Sequence, residues 1–83
     1  MATEILEPVE MVSWSRGAGL VPCRFRWRGR VYRVSRVNAS WESREGSVRR
    51  FHFMVRTSSG DTCELHFDAG DMRWMLDCVY SDP

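Results

Sequence analysis

Arg24-Phe25-Arg26-Trp27-Arg28-Gly29-Arg30-Val31-Tyr32-Arg33-Val34 is the stretch whose reading decides the fold. Arginine and aromatic residues alternate up to the glycine, and a run rich in β-branched and aromatic residues follows it. Alternation with period two places Phe25 and Trp27 on one face and Arg24, Arg26 and Arg28 on the other. A two-residue turn at Gly29-Arg30 predicts a β-hairpin of type II′, which wants glycine first. That register sets Trp27 opposite Tyr32, Phe25 opposite Val34, and Arg26 opposite Arg33. Two like charges directly opposite destabilise a sheet unless an anion lies near them.

Outward from the hairpin the same grammar repeats. Upstream, Pro8 to Trp14 alternates weakly and reads as a short edge strand, and Ser15 to Gly19 is a turn cluster. Residues 1–7 are acidic and poorly patterned, so a frayed N-terminus is expected. Downstream, the core parity slips after Val34, and one extra residue near Ser35-Arg36 would return Val37, Ala39 and Trp41 to the core as a β-bulge. Glu42 to Arg50 is charged and reads as a solvated loop. Phe51, Phe53 and Val55 then pair with Phe67, Leu65 and Cys63 across a Ser58-Ser59-Gly60 loop. This register also sets His52 opposite His66. Met72, Trp74, Leu76, Cys78 and Tyr80 alternate on a last core face, and 81–83 is a C-terminal tail.

No window carries a helical period. The chain therefore reads as all-β: one domain over 8–80, an antiparallel meander of five to six strands curled into a half-open or closed small barrel. Eighty-three residues with four Trp, four Phe and two Tyr suffice for one small core. No apolar run is long enough to span a bilayer. No signal-peptide pattern opens the chain, so a cytoplasmic location is expected. Cys23, Cys63 and Cys78 are odd in number and lack paired spacing, so they are read as reduced and not as zinc ligands.

The net charge of +1 conceals a strong segregation. Residues 16–57 carry eleven Arg against Glu42 and Glu45, a sum of +9, while 58–83 sum to −5 and 1–15 to −3. All twelve basic residues are arginine, the side chain suited to bidentate contact with phosphate or carboxylate. Arg24, Arg26, Arg28, Arg33 and Arg56 are the candidate anion or nucleic-acid contacts. Their ordinary alternative is a solvated exterior balanced by the chain's own acids. Trp14 and Trp41, at strand ends, are the candidate partner contacts. His52 and His66 offer two metal ligands without a third, so no metal or cofactor is assigned. No nucleophile, base and acid converge, so no enzyme is expected.

Two segments resemble a known family. The Phe25-Arg26-Trp27-Arg28-Gly29-Arg30-Val31-Tyr32-Arg33-Val34 core resembles a domain of unknown function common in actinobacteria. Cys63 through Asp68, Gly70 through Leu76 and Val79-Tyr80 are similar to its closing strands. A related segment looks like the C-terminal part of ImuB-type proteins, the Y-family-polymerase-like partners in mutagenic DNA repair. The resemblance implies a bacterial, cytosolic β-domain linked to DNA repair. The residues and the resemblance together lead to three expectations. The first is a non-catalytic binding or adaptor module recognising a protein partner. The second is an accessory domain that holds single-stranded nucleic acid on its arginine face. The third is a dimerising structural domain. No membrane is expected, and the chain should be a monomer or weak homodimer.

Overall fold

The computed structural model describes residues 1–17 and 19–81, so Ala18 and the last two residues of the expected tail lie outside it. Six strands follow in order: β1 (Ala2–Arg16), β2 (Gly19–Trp27), β3 (Arg30–Glu45), β4 (Val48–Thr57), β5 (Thr62–Asp68) and β6 (Arg73–Tyr80). Each pairs antiparallel with the next, and β1 also pairs with β6, so the ring of hydrogen bonds closes. Closure removes the unpaired edges that an open sheet would have to protect.

Two long strands make closure possible by changing partners. β1 pairs with β6 from Ala2 to Val9 and with β2 from Glu10 to Arg16. β3 pairs with β2 from Arg30 to Arg33 and with β4 from Val34 onward. Bulges bend both strands, as a sheet that turns back on itself requires. The core is Phe25, Phe53, Val55, Cys63, Leu65, Trp74 and Leu76, with Val9, Met11, Tyr32, Phe51 and Phe67 packed around it. Phe25 stacks on Tyr32 at 5.2 Å, and Trp74 leans on Phe53 and Phe67.

The pairing of β4 with β5 agrees with the sequence reading: Phe51–Phe67, His52–His66 and Phe53–Leu65 are all partners. Other expectations are corrected. The hairpin turn is Arg28-Gly29, not Gly29-Arg30. Both residues have positive φ, 50° and 77°, which is the type I′ geometry whose twist matches the strands. The partners are therefore Phe25–Tyr32, Arg24–Arg33, Arg26–Val31 and Trp27–Arg30.

Residues 1–7 are not outside the sheet. Ala2, Thr3, Glu4 and Glu7 have partners on β6. A bulge at Ile5-Leu6 breaks the alternation, with Leu6 at φ 54°, and so hides the strand from a pattern search. The expected loop at 42–50 is strand on both sides of Gly46-Ser47, with Glu42 bridging Arg49 and Glu45 bridging Arg50.

The bulge expected near Ser35 is present, and a second follows between Val37 and Ala39. The second slip reverses the parity again, so Ala39 pairs with Met54 and Trp41 with His52 on the outer face. Finally, a bulge at Asp77 turns Cys78 and Tyr80 outward to Glu64 and Thr62, while Val79 joins Cys63 inside. Met72, expected in the core, precedes β6 and is 74% exposed.

Candidate functional site

The structure sorts the candidate arginines into free and engaged. Arg24, Arg26, Arg33 and Arg56 are exposed. Among the described residues, no carboxylate lies in salt-bridge range of any of these four. Arg24 and Arg33 are cross-strand partners. Arg56 partners Arg36, a residue the sequence reading did not include. Along β3 the two arginine pairs flank the Ser35 bulge, and that bend brings Arg36 round to the outer face. The anticipated Arg26–Arg33 juxtaposition is replaced by Arg24–Arg33, one consequence of the shifted turn.

Arg28 is engaged elsewhere. Its guanidinium bonds Glu7 at 2.7 and 3.3 Å and lies 4.6 Å from the centre of the Trp27 ring. Trp27 Nε1–H donates to the same carboxylate at 2.9 Å. The hydrogen bonds from Arg28 and then Trp27 hold the Glu7 carboxyl below the usual range. This node ties the hairpin turn to β1, and Arg28 leaves the anion-binding set.

Beside the free arginines the surface is concave. A groove of about 500 Å³ is lined by Val12, Trp14, Arg24, Arg33, Ser35 and Ser58. A second depression of about 290 Å³ shares Val12 and Arg24 with it and reaches Glu10, Arg26 and Val31. Together they run across the outer face of β1, β2 and β3. Trp14 is 63% exposed at the edge of the groove. Its indole is held there because Trp14 shares the outward parity of Glu10 and Val12 on β1, and the extra residue Cys23 on β2 sets it opposite Val21.

Trp41 takes no part in that groove. It belongs to a row on the outer face of β3 to β6. Its ring stacks on His52 at 5.3 Å and 1°. His52 faces His66 at 5.5 Å, and His66 Nδ1 lies 2.8 Å from both oxygens of Asp77. Ser43 Oγ is 2.7 Å from His52 Nε2. His52 Nδ1 is buried with no partner among the described residues, at a cost of about 1–3 kcal/mol for such a group. Burial first, and the neighbouring His66 second, lower the pKa of His52.

Sequence reasoning found the two histidines and missed Asp77. Alternation alone puts Asp77 on the outer strip of β6, and only the bulge there brings its carboxylate onto His66. It has no Cα partner in either neighbouring ladder, and it is almost fully buried. The cysteines offer little chemistry. All three are free, and burial raises the Cys63 thiol to about 11, where little thiolate forms near neutrality. No helix among the described residues is long and apolar enough to cross a membrane.

A family model described as Domain of unknown function (DUF6504) matches residues 1–79. No curated protein matches the chain, and no solved structure does.

Proposed function

The chain belongs to DUF6504, a family of domains of unknown function, and we propose that it is a non-catalytic module that binds single-stranded nucleic acid across β1 to β3. The observation that carries this reading is the Arg24–Arg33 pair, two exposed like charges on partner strands with no carboxylate in salt-bridge range among the described residues. Such a pair weakens a sheet by itself. A phosphate between the two guanidinia turns that repulsion into two charge-assisted contacts. Arg26 extends the positive line, and Trp14 supplies a ring for a base to stack on. Arginines that follow a backbone, beside an aromatic platform, are how single strands are held without sequence readout.

The likeness of a related segment to the C-terminal part of ImuB-type proteins supports placing the module beside bacterial DNA-repair machinery in the cytoplasm. A second reading, an acidic protein segment as partner, is favoured by the exposed Val12, Val21 and Val31 around the same arginines.

Tryptophan fluorescence separates the two readings. Titration with single-stranded oligothymidylate at low salt is expected to quench Trp14. Arg24→Ala combined with Arg33→Ala should weaken binding by at least about tenfold. Trp14→Ala should cost about 1–3 kcal/mol of affinity. No binding at low salt, or equal binding by the double variant, overturns the proposal. Tighter binding of an acidic peptide of equal charge replaces it with the second reading.

A further inference from the structure

The row on the opposite strands has no role in the nucleic-acid groove, and its chemistry is different. One ligand atom from each of His52, His66 and Asp77 lies within 4.8 Å of the other two. We propose that these three side chains form a binding site for a divalent transition metal, Zn²⁺ by the nature of its donors.

Two imidazoles and a carboxylate are a donor set that suits zinc better than the hard cations, which prefer oxygen alone. The hydrogen bonds prepare the imidazoles for it. Ser43 Oγ can accept the Nε2–H of His52 across their 2.7 Å contact. That tautomer leaves the Nδ1 lone pair free, and Nδ1 is the buried atom with no partner. Ser43 is thus a positioning residue, like the outer partners that commonly fix metal-binding histidines. Asp77 already lies against His66. The site is shielded, with the His66 and Asp77 side chains 14% and 11% exposed.

Bonds of about 2.0–2.1 Å put tetrahedral ligand atoms roughly 3.4 Å apart. The widest separation, up to 4.8 Å, therefore has to close by about 1.4 Å on loading while the 2.8 Å His66–Asp77 contact loosens, within the reach of small side-chain rotations. The three ligands come from β4, β5 and β6, so the ion would join three strands from outside. The fourth position is left to water. Glu64, the next carboxylate along β5, is taken by the Tyr80 hydroxyl.

The test uses the chelator-treated full chain and Zn²⁺ alone in a calorimetric titration, with Co²⁺ as a spectroscopic substitute. One Zn²⁺ per chain is expected, with a higher Tm and the visible bands of tetrahedral Co²⁺. His52→Ala and Asp77→Asn should each weaken binding by about 10–100-fold while circular dichroism shows the fold kept. His52→Gln is the replacement if His52→Ala fails to fold. Ser43→Ala should keep the stoichiometry with lower affinity, and Cys78→Ser should bind as the parent does. Absence of stoichiometric uptake, or unchanged affinity in the folded His52 and Asp77 variants, overturns the site. Loss of binding in Cys78→Ser also overturns it, because the metal then sits on thiolate.

Discussion

Leu65 is fully buried between its ladder partners Phe53 and Leu76. Truncation leaves a cavity that a closed ring of strands cannot easily collapse. Leu65→Ala is expected to destabilise the fold by about 2–5 kcal/mol, read as a lower urea midpoint at unchanged slope. At the same scale, the core positions in β4, β5 and the Arg24–Trp27 half of β2 are legible because their alternation is unbroken. Asp77, Leu6 and Trp41 are not legible, because each sits at or just beyond a bulge. A bulge is one residue's worth of slip, and nothing in the local composition of Ile5-Leu6, Asn38 or Asp77 announces it. Asp77 is the costly omission, since it converts a pair of facing histidines into a cluster of three potential ligands.

The hairpin of β2 and β3 shows what an element's sequence leaves open. Two turns, Arg28-Gly29 and Gly29-Arg30, put Phe25, Trp27, Tyr32 and Val34 on the same face, so the hydrophobic pattern cannot choose between them. The choice falls to contacts beyond the hairpin, the Glu7 carboxylate that receives both Arg28 and Trp27 Nε1–H. Gly29 has φ 77°, and an added Cβ would meet nothing within 4 Å. The penalty of Gly29→Ala is thus purely one of backbone conformation. It is expected to cost about 1 kcal/mol in urea unfolding. Glu7→Gln should lower stability as well, and proton exchange at the Trp27 indole should quicken as its acceptor weakens. The 42–50 segment illustrates the opposite error. Its charges read as solvent-facing loop, yet Glu42–Arg49 and Glu45–Arg50 are cross-strand pairs on a hairpin that continues the sheet.

The molecule as a whole separates its charge. Acidic side chains from β1 and the chain's second half hold Arg28 and Arg50, and leave Arg24, Arg26 and Arg33 to the solvent. Among the described residues, three carboxyls are depressed in the folded state. Glu7 is lowered chiefly by its Arg28 hydrogen bond and Glu42 by that of Arg49. Asp68 is lowered first by the Asp71 backbone N–H, with Gly70 and Arg50 adding. For such groups the unfolded chain binds more protons over the titration range, so stability rises with pH there. Their contribution is complete above the ordinary values of 4.5 and 3.8 and is lost as pH falls through the lower folded values. Beneath the loss below about pH 6.5 that the lowered His52 imposes on the parent and the carboxyl variants alike, urea midpoints should drop further with acidification below about pH 4.5. The combined Glu7→Gln, Glu42→Gln and Asp68→Asn variant should begin lower and drop less.

Binding to the arginine groove is a whole-molecule property too, because it sums several phosphate contacts along one face. The measurement that tests it most directly is the affinity for single-stranded oligothymidylate as a function of salt concentration. With Arg24, Arg26 and Arg33 each on a phosphate, the plot of log affinity against log salt should have a slope of about −2, and Arg24→Ala with Arg33→Ala should flatten it to about −0.7. A slope near zero, or the same slope in the parent and the double variant, would contradict the account.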